Sequence, residues 1–238
     1  NAFLPIYERY VDEASFLWVL LRVALTQPHY YLNDIKTLEA RIARHLNGLM
    51  TDPNAAWPLC AEALNLNEPG ETFTASFVAF RSGDIDKIQT VVETAVKNEA
   101  MLNGLISALN WVSAEQCHPW IVKFFSSKDL RHKRIALEAC DLRHENPANY
   151  LTNIIQREDC RQNLPLYISA IKSIGKFKRK ELIDDVKIAL SHTDDKVRFW
   201  AVHTLFLLGE RSHYSEIKHY VMVDGPCRDE AIQLAFRV

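Results

Sequence analysis

The chain has little glycine and little proline, 7 and 9 residues in 238. An all-β protein of many hairpins needs far more turn residues, so helix is favoured throughout. It also lacks a long apolar run: the longest, near Phe16 to Leu25, is interrupted by Arg22, well short of the roughly 20 residues that a membrane-spanning helix requires. Charge of neither sign dominates. Lys+Arg 28 against Asp+Glu 30 leaves a formal net charge of -2, so no global basic field draws the chain to nucleic acid or to an anionic membrane. Cysteines are few, odd in number and scattered (Cys60, Cys117, Cys140, Cys160 and Cys227). That argues against a disulfide framework and for a reducing compartment, the cytoplasm by default. The sequence starts at Asn1 and stops at Val238 inside a helical pattern, which predicts a piece of a longer chain.

Motifs of catalysis and metal binding are missing too. Nothing has the pattern of a nucleophile elbow, a phosphate loop or a dinucleotide fingerprint; Ile174-Gly175-Lys176 has neither the glycines nor a preceding strand. Cys140 and His144 lie four apart, Cys117 and His118 are adjacent, and His213 and His219 share one segment. None has a second ligand pair at zinc-like spacing. The expectation is no metal, no cofactor and no enzyme.

What is present is helical periodicity. Hydrophobic content of 48% is ample for a core. Tyr7, Val11, Ala14, Trp18, Leu21 and Leu25 predict a long helix from near Pro5 that Pro28 ends. A second follows with Asn33 as N-cap and Ile35, Leu38, Ile42, Leu46 and Leu49 as its apolar stripe. "DPNAAWPLCAEAL" and "GETFTASFVAFRSG" predict two shorter helices with Glu68-Pro69-Gly70 as the turn between them. Residues 1–82 thus form an N-terminal helical region.

From residue 83 to 238 the pattern becomes repetitive. Gly104, Ala136, Ala170, Ala201 and Ala231 recur at spacings of 32, 34, 31 and 30, each followed four residues later by a small or apolar residue: Ala108, Cys140, Ile174, Leu205 and Ala235. Small residues at such positions let helices approach closely. A partner helix precedes each of these, over 84–97, 118–126, 147–158, 179–190 and 214–222. About five helix pairs of some 30 to 35 residues are the expected unit of an α-solenoid.

The segment "ALSHTDDKVRFWAVHTLFLLGE" resembles a HEAT repeat, with Asp194, Asp195, Val197, Arg198, Ala201, Leu205, Leu208 and Gly209 at the motif places. Asp224, Arg228 and Ala231 repeat it in part. Asp129 with Arg131 to Arg134 follows it more loosely, and Asp159 faces Tyr167 where an Arg is expected. "DEASFLWVLLRVAL", "DIKTLEARIARHLNGL", "AWPLCAEAL" and "GLISALNWV" together resemble an uncharacterised proteobacterial family of HEAT-like proteins, often encoded beside type VI secretion components and without established enzymatic activity. That resemblance implies an all-α superhelix and a secretion component or cargo as partner, with an adaptor, chaperone or immunity-like role. His144-Glu145 is one His-Glu dyad, whereas HEAT-like di-iron hydroxylases need several, so a di-iron centre is disfavoured.

In such stacks the turn Asp and the helix-opening Arg are structural, which makes Asp194, Asp195, Arg198, Asp224 and Arg228 a turn ladder rather than a reactive site. His203 lies about 200° around its helix from Ala201 at roughly 100° per residue. With Ala201 facing the partner helix, Phe199, His203, Phe206 and Glu210 face a concave surface. The same register carries Leu102 and Ile106, Arg134, Glu138 and Asp141, Ile168 and Lys172, and Asp229, Gln233 and Phe236 onto that surface. Aromatic and charged groups mixed in this way suit protein binding, or the apolar members contact the adjacent repeat. The favoured function is a non-catalytic scaffold that binds another protein through Arg134, Glu138, Ile168, Lys172, Phe199, His203, Phe206 and Gln233.

The alternative is nucleic-acid binding, since HEAT-like DNA glycosylases use a basic concave groove. "KFKRK" from Lys176 to Lys180, with Arg131, His132, Lys133, Arg134, Lys196 and Arg198, offers a phosphate-binding strip. Asp129, Glu138, Asp141, Asp184, Asp185, Asp194 and Asp195 dilute that field and disfavour it.

Overall fold

The computed structural model describes residues 3–236, and all regular structure among them is helical. The chain forms two compact units, Asn1–Ile121 and Val122–Val238.

The first unit holds α1 (Leu4–Ala24), α2 (Leu32–Leu49), α3 (Pro53–Ala63), α4 (Pro69–Ser82), α5 (Ile85–Ala95), α6 (Glu99–Trp111) and the start of α7 (Ala114–Ser126). Helix α4 is its centre. Every residue from Thr72 to Phe80 is buried, because α1, α3, α5 and α6 all pack on it and a helix apolar on all sides has no solvent face. Phe73 stacks on Trp18 at 5.1 Å and meets the Trp111 ring edge-on at 5.7 Å. Gly104, first of the small-residue series, sits where α6 touches the α4 backbone: a Cβ there would lie 2.3 Å from the Pro69 carbonyl oxygen.

Two local expectations change. Helix α2 is capped at Tyr31, not Asn33: the Asp34 carboxylate accepts from the Tyr31 N–H at 2.9 Å, which starts the helix two residues earlier. Pro69-Gly70 opens α4 instead of forming a turn before it. Proline at the first helical position lacks an N–H that would have had no partner there.

The second unit continues α7 and adds α8 (Leu130–Arg143), α9 (Asn149–Gln156), α10 (Glu158–Gln162), α11 (Leu164–Lys176), α12 (Ile183–Ile188), α13 (Asp195–Leu208), α14 (Tyr214–Met222) and α15 (Arg228–Ala235). Helix α11 packs between α8 and α13, with α9 and α10 also against it; α12 and α14 pack on α13. The 179–190 segment is not one helix. It breaks into a 3-10 turn at Lys180–Leu182, then α12, then a 3-10 turn at Ala189–Ser191. The Arg179 N–H is taken by the end of α11, where it donates to the Ile174 carbonyl, and the Arg179 guanidinium donates to the Ala148 carbonyl at 2.9 Å.

Helices α8, α11 and α13 start and end alike. Asp129, Asn163 and Asp194 each accept a hydrogen bond from a first-turn N–H, which satisfies a donor the helix cannot. At the other end, His144, Lys178 and Gly209 have positive φ of 57°, 54° and 97°. The following residues, Glu145, Arg179 and Glu210, donate back to Cys140, Ile174 and Leu205, the closure of a Schellman motif. Ala136, Ala170 and Ala201 are fully buried between them. Each of these sets is spaced by 34 and then 31 residues.

Hydroxyls tie each helix to the one before. Ser173 of α11 donates to the Asp141 carboxylate at 2.7 Å, Ser169 donates to Glu138 at 2.6 Å, and Thr204 of α13 donates to the Ile171 carbonyl at 2.9 Å.

Candidate binding groove on helices α8, α11 and α13

The exposed edges of α8, α11 and α13 enclose a groove of about 400 Å³. It is built on residues that share the spacing of the helix caps. Glu138, Lys172 and His203 occupy one position on three successive helices, 34 and then 31 residues apart. Lys172 and His203 line the groove and Glu138 lies beside them, paired with Arg134 at 2.6 Å. Asp141 lines the α8 side. On the α13 side Trp200 and Leu207 supply the apolar wall, and Gly175 lets α13 come near: a Cβ there would meet Thr204 and Leu207 at 3.1 and 3.2 Å.

Three lysines converge on this groove. The Lys172 ammonium stands 3.9 Å from the Trp200 ring centroid, a cation held on an aromatic face. Lys176 donates to the Asp141 carbonyl and Lys178 to the Leu207 carbonyl at 2.7 Å. These carbonyls belong to the last turns of α8 and α13, where the helix dipole favours a cation; that of Asp141 also accepts the His144 N–H. An ammonium carries three donors, so Lys176 and Lys178 bring their charge to the groove while each bonds a carbonyl with one N–H.

The burial of Asp141 raises its carboxyl to about 6, against the opposing pull of the Ser173 hydroxyl and the Lys176 charge. Loss of water around the ammonium among the groove walls lowers Lys172 below the ordinary lysine range, with the charges of Glu138 and Glu230 opposing the shift. The His203 ring lies 5.0 Å from Trp200 and 6.0 Å from Phe199.

No protein-family profile, curated protein or solved structure matches the chain. The groove therefore has to be read from its own chemistry. Among the described residues no group of three or more His, Cys, Asp or Glu side chains is placed to hold a metal ion, and no helix is long and apolar enough to cross a membrane. All five cysteines are buried and none forms a disulfide. His213 pairs with Glu216 at 2.7 Å, and His144 ends α8 in a left-handed turn.

The residues expected on one binding surface separate. Lys172 and His203 line the groove, with Glu138, Arg134 and half-buried Ile168 on the adjoining helix faces. Phe199 does not belong to a surface at all. It is fully buried against Cys227, Ala231, Trp200 and Tyr220, because α14 and α15 cover the side of α13 that the helical wheel left open. Phe206 is half-buried on the cluster of Val202, Ile217 and Leu234, with the Arg211 guanidinium 5.7 Å from its ring. Gln233 is exposed on α15 and does not line the groove.

The ladder residues act mostly within their own turns. Asp194 caps α13, Asp195 pairs with Arg198 at 2.8 Å, and Arg198 also donates to the His192 and Thr193 carbonyls. Asp224 pairs with Arg228. Tyr220, donating to Asp195 at 3.0 Å, and Arg228, donating to the Val221 carbonyl at 3.2 Å, extend this set to α14. The helix-to-helix ties instead run through Ser169, Ser173 and Thr204.

Trp200 is the main residue that the sequence reading passed over. One step along α13 separates it from Phe199, and that step of roughly 100° turns one ring inward and the next to the groove. Lys176 and Lys178 were visible only as members of a basic run, not as the lysines that bond helix ends.

Proposed function

We propose that this chain is a HEAT-like repeat protein that holds another protein, and that the groove on α8, α11 and α13 is where it does so. The repeated caps, left-handed helix ends and buried alanines at 34 and 31 residues support the repeat reading. The observation that carries the binding reading is the open groove itself, in which Trp200 and Leu207 stand beside three lysines and His203. An aromatic anchor amid charged side chains is the composition of interface hot spots. Asp141, Glu138 and Glu230 border the lysines and confine the positive zone, which suits a peptide side chain better than a continuous phosphate backbone. The resemblance to the proteobacterial HEAT-like family suggests a type VI secretion component or cargo as the partner and an adaptor or chaperone role.

The test is co-purification from the native host with the wild-type chain and with a Lys172→Ala, Trp200→Ala, His203→Ala triple variant of unchanged circular dichroism. A discrete protein retained by the wild type and lost by the triple variant is expected. Equal retention by both would overturn the assignment of the groove.

A further inference from the structure

The chemistry of the groove specifies more than a protein surface. We propose that it takes an acidic peptide segment: a short extended stretch whose Asp or Glu side chains meet Lys172, Lys176 and Lys178 while an adjacent apolar side chain packs on Trp200 and Leu207. This rests on the reading of the groove as a protein-binding site and names the kind of segment that fits it.

Charge complementarity is the first argument. The chain as a whole is slightly acidic, with a formal net charge of -2, yet the groove gathers three lysines against one carboxylate, Asp141. That local excess of positive charge comes from one segment, Lys172 to Lys178, which the packing of α11 between α8 and α13 sets beside Trp200 and Leu207. The carboxylate is already engaged, taking the Ser173 hydroxyl at 2.7 Å on both of its oxygens. Among the residues that line the groove no other carboxylate faces the lysines, and Glu138 and Glu230 act on Lys172 from its border.

Preorganisation is the second. The Lys172 ammonium rests on the Trp200 ring, Lys176 is tied to the end of α8 and Lys178 to the end of α13. Side chains already held in place lose less freedom when a ligand arrives. Lys178 further occupies a left-handed position with φ of 54°, where glycine is the favoured residue. A lysine kept at such a position brings a charge to the groove that glycine would not, and residues in disfavoured backbone conformations cluster at binding sites.

Size is the third. Packed helices lie about 8–10 Å apart, so the path across α8, α11 and α13 is roughly 20 Å long, and about six extended residues span it. Two or three of those face the groove with the alternation of an extended chain. One carboxylate near the lysines and one apolar side chain near Trp200 fill that number.

The experiment selects phage-displayed random dodecapeptides on the immobilised full-length chain at low salt, then measures the enriched sequences as synthetic peptides. Enrichment of Asp or Glu beside an aromatic or aliphatic residue is expected. Binding should weaken at least tenfold in Lys172→Glu and in Trp200→Ala, and it should weaken with added salt. With 5-fluorotryptophan incorporated, the fluorine resonance of Trp200 should shift on peptide addition more than those of Trp18, Trp57, Trp111 and Trp120. Lys172→Gln and Lys178→Gln serve as milder variants if Trp200→Ala fails to fold.

Neutral or basic peptides that lose binding in Trp200→Ala but not in Lys172→Glu would overturn the acidic-segment proposal and leave the groove a protein site. Peptides indifferent to every groove variant, or no enrichment over the bare support, would overturn both. Tighter binding of a single-stranded oligonucleotide than of any selected peptide, lost in Lys172→Glu, would also overturn both in favour of nucleic acid.

Discussion

Replacing Asp141 by asparagine is expected to stabilise the second unit at neutral pH, although it removes a carboxylate that accepts two hydrogen-bond contacts. Burial holds the Asp141 carboxyl at about 6 instead of the ordinary 3.8. The folded chain therefore keeps its proton to higher pH than the unfolded chain does. Between those two values the native state binds more protons, so the contribution of this group to stability is greatest below the lower one. It declines as pH rises through the window and is flat above about 6. Two pKa units correspond to ~3 kcal/mol, an upper figure for the charge penalty at pH 8. Asparagine stays neutral throughout and keeps a polar partner for Ser173. The Asp141→Asn variant should match the wild type within ~0.5 kcal/mol at pH 4 and exceed it by ~1–3 kcal/mol at pH 8. In urea this is a midpoint shift of about 1 M. Trp200 is the only tryptophan of Val122–Val238, so the fluorine resonance of 5-fluorotryptophan at that position follows unfolding of this unit separately from the first. A stability difference that does not change between pH 4 and pH 8 would refute the reasoning. So would an Asp141→Asn variant less stable at pH 8, since the Ser173 and Lys176 contacts would then outweigh burial.

Phe199→Ala, at a site with no solvent exposure, should cost about 3–5 kcal/mol in the second unit; a loss below ~1 kcal/mol by urea denaturation would contradict its place in the core. Gly104→Ala should destabilise the first unit by ~3 kcal/mol, because the added Cβ meets a backbone oxygen that no side-chain rotation can move away. A thermal midpoint unchanged from wild type would mean that α4 and α6 are farther apart than described. Lys178→Gly should be more stable than Lys178→Ala by ~1 kcal/mol, since both lose the bond to Leu207 and only glycine adopts the left-handed turn without strain. Equal urea midpoints for the two variants would refute that backbone conformation.

The helical character, the absence of long apolar spans and the spacing of the buried small residues were all legible in the sequence. They depend on local quantities: turn-residue content, hydrophobic period, and the need for a small side chain wherever helices touch. Ala136, Ala170 and Ala201, with Gly104 before them, are buried for that reason. The column of Glu138, Lys172 and His203 was also within reach, because it keeps the same spacings of 34 and 31 as the buried alanines. The ends of helices were less legible. Tyr31 rather than Asn33 caps α2 because Asp34 reaches back to it, and the 179–190 segment divides into a 3-10 turn, α12 and a second 3-10 turn.

Tertiary structure alone decided which residues on that column are accessible and what they meet. A helical wheel gives an angle around one helix and says nothing about what is packed on its far side. Phe199 and Trp200 are neighbours of similar chemistry, yet α14 and α15 cover the first while the second faces the groove. Lys176 and Lys178 are two cations in a basic run until α8 and α13 end beside them and supply the carbonyls that hold them. The sequence by itself determined a helical chain with a repeating contact position. The groove arose only from packing, because burial is set by helices distant in the sequence, whereas its three lysines already stand together between Lys172 and Lys178.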